Sequence, residues 1–161
     1  MKFFPEFDDD SRLWVFLLSR SVSGDEQKSI RTGLEEFFKT WNAHGAPVEG
    51  AAEFLHGQFL LIVASKDTEV SGCSIDSLFR AVKEICGEAS LELLSQGNIS
   101  FLEADALKVM TQDEFRAYAE SGQVAEDTIV FNNAVQTVSE FREGKWQLPF
   151  KDSWHRERFP F

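Results

Sequence analysis

The chain has 161 residues, among them 16 Phe and 4 Trp, and sets 16 Lys and Arg against 27 Asp and Glu for a formal charge of −11. That length and aromatic content suit one domain with a real core, spanning residues 1–161, and exclude a disordered tail protein. The acidic balance excludes nucleic acid as a main partner, because phosphate binding rests on clustered Lys and Arg, and it disfavours an anionic membrane surface.

The N-terminal stretch from Met1 to Asp10 lacks the apolar run of a signal peptide. No stretch of the chain approaches ~18 uninterrupted apolar residues. No membrane insertion and a cytoplasmic location are therefore expected. Residues 12–20 (RLWVFLLSR) form a nearly continuous apolar run, which suits a central strand covered on both faces. Ser23 and Glu26 then read as a capping box, followed by Ile30, Leu34, Phe37, Phe38 and Trp41 at helical spacing. Gly45 and Pro47 stop that helix.

Residues 51–56 and 58–66 flank Gly57 as two strands joined by a tight turn, with His56 on the turn. Ile75, Leu78, Phe79, Val82, Ile85 and Cys86 form the inner face of a second helix, ended by Gly87. Residues 99–103 are a further strand. The order strand, helix, strand, strand, helix, strand predicts an α+β fold with a ferredoxin-like βαββαβ sandwich over residues 11–104: an antiparallel sheet with two helices on one face. Another α+β layering of the same elements is the alternative.

Residues 105–161 read as a C-terminal α/β extension packed on that core. It holds a strand at 106–110 and a helix capped by Thr111 and Glu114, with Met110 and Phe115 as a staple. The helix ends near Gly122, a strand follows at 127–131, and an aromatic tail runs from Trp146.

Among residues that carry chemistry, Ser71-Gly72-Cys73-Ser74-Ile75-Asp76 stands out. It places a thiol, hydroxyls and a carboxylate at a helix N-terminus, where unpaired N–H groups and the helix dipole favour a thiolate or a bound anion. One reading makes Cys73 a nucleophile, with His44 or His155 as base and Asp76 or Asp152 orienting the imidazole. The plainer reading makes Ser74 the N-cap and packs Cys73 against Leu78. Cys73 and Cys86 are too few for a disulfide framework and lie near opposite ends of one helix, so both are expected reduced.

A metal site would draw on Cys73, His44 and His155, but zinc sites show paired ligands at short spacing and none exists here. No metal and no cofactor are expected. Gly72 and the helix amides could bind phosphate, yet the stretch lacks the Lys of a P-loop, so P-loop ATPase activity is rejected. Asn132 and Asn133 form either a turn or a pair of amides aimed into a pocket. Asp152 is expected to cap a last helical turn anchored by Trp154.

Trp41-Asn42-Ala43-His44-Gly45-Ala46-Pro47, Ser71 to Asp76, Phe131-Asn132-Asn133 and Asp152-Ser153-Trp154-His155 occur in this order over nearly the whole chain. In these segments the chain resembles a family of short bacterial proteins of unknown function, often labelled "ABC transporter ATPase". Neither a Walker A nor an ABC signature motif accompanies them here. The resemblance implies a single cytosolic domain and supplies no activity. A shorter stretch, Thr111 to Phe131, is similar to the helix-turn-strand unit of GYF-like peptide-binding modules.

These observations favour a non-catalytic domain that binds a small ligand or a protein partner. Its pocket is expected where the 43–50 loop, the start of the second helix and the aromatic tail converge. Trp41, Phe131 and Trp154 would supply apolar walls, and Ser71, Gly72, Ser74, Asn132 and Asn133 polar contacts. The thiol enzyme is the alternative.

Overall fold

Four of the six residues of the first strand are buried, and they point to both faces of its sheet. The reason is that this sheet is covered on each side. The computed structural model describes residues 3–160. In it β1 (Arg12–Leu17) pairs antiparallel with a strand at Phe59–Ala64, which in turn pairs antiparallel with one at Gly50–Leu55.

Between β1 and these strands lie α1 (Gly24–Phe38), capped by the Ser23–Glu26 box, and a small hairpin of β2 (Asn42–Ala43) and β3 (Ala46–Pro47). The strands at 50–55 and 59–64 are thus β4 and β5, and α2 (Gly72–Glu88) follows. β1 and β4 run parallel to each other with β5 between them. The helix that follows β1 and the helix that follows β5 are therefore antiparallel.

One face of this sheet packs Trp14, Leu18, Leu60 and Ile62 against Ile30 and Leu34 of α1 and Leu78, Val82 and Cys86 of α2. The other face packs Leu13, Val15, Leu17, Phe59, Leu61 and Val63 against Phe131, Val135, Val138 and Trp146. Every residue of β5 is buried for that reason, and its unbroken apolar sequence follows from it.

The covering elements form a second antiparallel sheet. It contains β6 (Ile99–Glu103), β7 (Ala106–Met110), β8 (Ile129–Phe131) and β9 (Gln147–Pro149), in the order β7-β6-β8-β9. Its outer face packs Ile99, Phe101 and Val130 against Phe115 and Ala119 of α3 (Gln112–Glu120), and against Phe150 and Phe159. α4 (Val138–Arg142), a 3₁₀ turn (Phe150–Asp152) and α5 (Trp154–Arg158) complete the chain. The protein is α+β, in four layers: helices, sheet, sheet, helices. Among the described residues no helix is long and apolar enough to cross a membrane.

The ferredoxin-like expectation needs one correction. Residues 99–103 form a strand, but they join the second sheet and not the first. The position beside β1 is filled by two short bridges, Leu18 with Leu93 and Arg12 with Thr137, both antiparallel to β1. The fourth strand is thus split, and the second sheet leaves and returns between its halves. Gly97 and Asn98 turn the chain away after the first half, and β6 then buries Phe101 against Phe115, 5.3 Å between ring centroids.

Candidate functional site

The C-terminal end of one antiparallel helix meets the N-terminal end of the other, and here that places α1's end beside α2's start. An open cleft of ≈ 600 Å³ lies between them. α2 contributes Cys73, Ser77, Arg80, Ala81 and Glu84, a stripe along one helix face. Phe37, Thr40, Trp41 and the His44-Gly45 turn form the opposite wall.

Trp41 is the floor. It is buried, its rings pack against Phe37, Phe38 and Trp14, and its indole N–H donates to the Ser74 carbonyl at 2.9 Å. That bond ties the end of α1 to the start of α2. His44 and Gly45 form the turn of the β2–β3 hairpin with φ of 53° and 81°. Two left-handed residues are what a two-residue hairpin needs, and they hold the exposed His44 at the cleft.

The start of α2 differs from the expected cap. Ser71, not Ser74, is the N-cap: its Oγ accepts from the Ser74 N–H at 3.1 Å, and Ser74 Oγ accepts from the Ser71 N–H at 2.7 Å. Ser77 Oγ donates to the Cys73 carbonyl at 2.9 Å. These hydroxyls serve the helix. Cys73 is then the second residue inside the helix and exposed, so it does not staple to Leu78. Cys86 is buried, and the loss of solvent pushes its thiol up to about 11.

Five of the predicted site residues, Trp41, His44, Ser71, Cys73 and Ser74, line this cleft, and Gly72 lies between two of them. Among the described residues no hydrogen bond joins His44 to Cys73. Asp76 is exposed and does not line the cleft. The rest of the expected site is elsewhere.

His155 is buried in the outer core beyond the second sheet. Its Nδ1 lies 2.9 Å from Ser153 Oγ, its ring is 6.4 Å from Phe115, and the half-exposed Trp154 stacks on it. Both sheets separate it from Cys73, so it cannot act as that thiol's base and cannot share a metal with it. Ser153, not Asp152, caps α5. Phe131 packs between the sheets against Phe59 and Trp146. Asn132 Oδ1 accepts from the Ala134 N–H at 3.2 Å, a local turn bond. Asn133 accepts from the Trp146 indole at 2.9 Å and donates to Ser100 Oγ at 3.2 Å.

Arg80 and Glu84 are cleft-lining residues that the sequence hides. Their spacing from Cys73 and Ser77 is that of one helix face, but a polar helix face reads the same whether it lines a cleft or meets bulk water. Arg80 has no hydrogen bond or ion pair among the described residues. Comparison with protein-family models, with curated proteins and with solved structures gives no match for this chain.

Proposed function

We propose that the protein is a cytoplasmic bacterial binding domain whose α1–α2 cleft takes a small ligand carrying an anionic group and an apolar part. The βαββα portion is read as a ferredoxin-like sandwich with its last strand interrupted, which makes the cleft a junction between two rigid helices. The observation that carries the reading is the unpartnered Arg80 guanidinium in a cleft floored by Trp41. Among the described residues Arg80 is the one Lys or Arg that lines this cleft, and an ionised acceptor forms its strongest bonds with arginine. Trp41 and Phe37 offer the apolar wall that small-ligand sites use. Nucleic acid is not among the proposed partners.

The test is an amide NMR titration of the full chain with a panel of small aryl and alkyl carboxylates and phosphomonoesters. Saturable shifts at Gly72, Cys73 and Arg80 are expected for at least one compound. Arg80→Gln should weaken that binding about tenfold, the loss of one charge-assisted contact. A panel that leaves α2 unmoved overturns the reading.

A second reading rests on Cys73 and His44 lining one cleft, with the thiol exposed. It is a thiol enzyme in which His44 deprotonates Cys73. Burial alone makes Cys86 slow to react, so the informative comparison is with a free small thiol. Alkylation of Cys73 near neutral pH about tenfold or more above that reference would favour the enzyme. A rate equal to the reference, unchanged in His44→Gln, removes it.

A further inference from the structure

The edge of β1 that faces away from β5 is covered only at its ends. Leu18, which follows β1, donates to the Gln58 carbonyl on the β5 side, so by strand alternation the N–H and C=O of Leu13, Val15 and Leu17 point the other way. There Leu13 donates to the Gln136 carbonyl at 2.8 Å, and Leu94 donates to the Leu17 carbonyl at 2.8 Å. Val15 lies between these contacts. Among the described residues neither its N–H nor its C=O has a partner on this edge.

An open slot of ≈ 350 Å³ lies at this gap, between the two halves of the split strand. Arg12, Trp14, Phe16 and Phe79 line it on the helix side, and Ala134 and Val135 on the side of the second sheet. Two of the residues that line it also carry a polar atom sealed from solvent without an acceptor: the indole N–H of Trp14, a residue only 7% exposed, and Nε of Arg12. Phe79 is 42% exposed and meets the Phe16 ring edge-on at 5.4 Å.

We propose that this slot binds a short extended segment of a partner protein, which supplies the missing middle of the fourth strand. A residue placed opposite Val15 exchanges both backbone hydrogen bonds with it, the contact that gives strand addition its affinity. Leu13 to Leu17 spans about 13 Å at ~3.3 Å per residue, so about three guest residues fit. The flanking halves run antiparallel to β1, and the guest continues in that sense.

Alternation then sets its sequence. The residue opposite Val15 faces Val135 and the second sheet, where little space remains, and is small. The residue before it faces Phe16 and Phe79 and is apolar. The residue after it faces Arg12, whose guanidinium lies 5.1 Å over the Trp14 ring and joins no ion pair among the described residues, and is acidic. Read from its N-terminus the guest is apolar, small, acidic. A second copy of this chain does not fit, because segments 92–94 and 136–138 flank the gap at either end and recess the same edge in both copies.

The probe is an acetylated, amidated pentapeptide, Thr-Leu-Ala-Glu-Thr, titrated into the isotope-labelled full chain. The Val15 amide should shift saturably, and its exchange with solvent should slow about tenfold or more at saturation. N-methylation of the central Ala should abolish binding. Replacing Glu by Lys in the peptide should weaken binding about fivefold to tenfold, and Arg12→Glu should reverse that preference. Phe79→Ser, at an exposed position, should weaken binding while leaving the fold intact. The proposal is overturned by any of three results: no saturable Val15 shift at millimolar peptide, equal binding of the N-methyl peptide, or a concentration-dependent dimer that protects Val15 without peptide.

Discussion

At His155, burial decides the chemistry. The imidazole is 1% exposed, and desolvation pushes its pKa from 6.5 down to about 4. In the unfolded chain the ring takes a proton near pH 6.5, whereas in the fold it resists until about pH 4. Between those values the unfolded state binds more protons, so stability is complete above 6.5 and drains away as pH falls through that window. The loss reaches about 3 kcal/mol near the lower end. His155→Gln should flatten this slope, read from urea unfolding at several pH values from about 7 to about 4.5. An unaltered slope in the variant would assign the acid sensitivity to other groups. Nothing in the sequence distinguishes His155 from His44: each follows an apolar or turn-rich segment, and only long-range packing sends one into hydrocarbon and the other to a cleft. Trp41, His44, Ser71, Cys73 and Ser74 could be nominated from sequence by residue type, but whether the end of the first helix meets the start of the second depends on the sheet order, which the residue pattern leaves open.

The helices begin where local chemistry dictates. Ser23 with Glu26, and Thr111 with Glu114, are reciprocal boxes that the sequence displays openly. The box at α2 uses Ser74 in place of an acidic residue, so pattern matching passes over it and shifts the cap by three positions. Ser71→Ala should cost about 1 kcal/mol of stability, and Ser74→Ala a similar amount. Because each hydroxyl serves the other's N–H, the double variant should lose clearly less than the sum, as urea unfolding of the four proteins would reveal. Strict additivity would mean the two bonds act separately. Arg142 of α4 does a comparable service for the N-terminal segment. Its guanidinium donates to the carbonyls of Phe3, Phe4 and Phe7 and meets Asp9 at 2.6 Å, with the side chain 15% exposed. Arg142→Met keeps the apolar stem but strands those carbonyls, at a cost of about 2–4 kcal/mol. Faster chymotryptic cleavage among Phe3, Phe4 and Phe7 is the expected readout, and wild-type resistance in the variant would show that packing alone holds the segment.

The split strand sets how the whole molecule holds together. Were residues 105–161 a free-standing appendage, the second sheet could unfold first. Instead the chain crosses from β1's edge into that sheet at residue 94 and returns to the same edge at 136, so the second sheet is anchored on the first at both ends. The contact between them centres on Phe59, whose ring lies 4.8 Å from Phe131 and 5.0 Å from Trp146, all three buried. Separation would expose Leu61 and Val63 as well, a loss no small gain of chain entropy offsets. The unbroken apolar run of β5 announces a strand covered twice, yet it carries no mark of which later segment covers it, because that partner lies some seventy residues on. One cooperative transition is therefore expected, with far-ultraviolet dichroism and tryptophan fluorescence tracing the same urea curve. Phe59→Ala should lower stability by about 3–5 kcal/mol, shifting both curves together, since a cavity at this point weakens both sheets. Curves that part company in the variant, with fluorescence moving and dichroism holding, would mean that the first sheet and its helices stand without their cover.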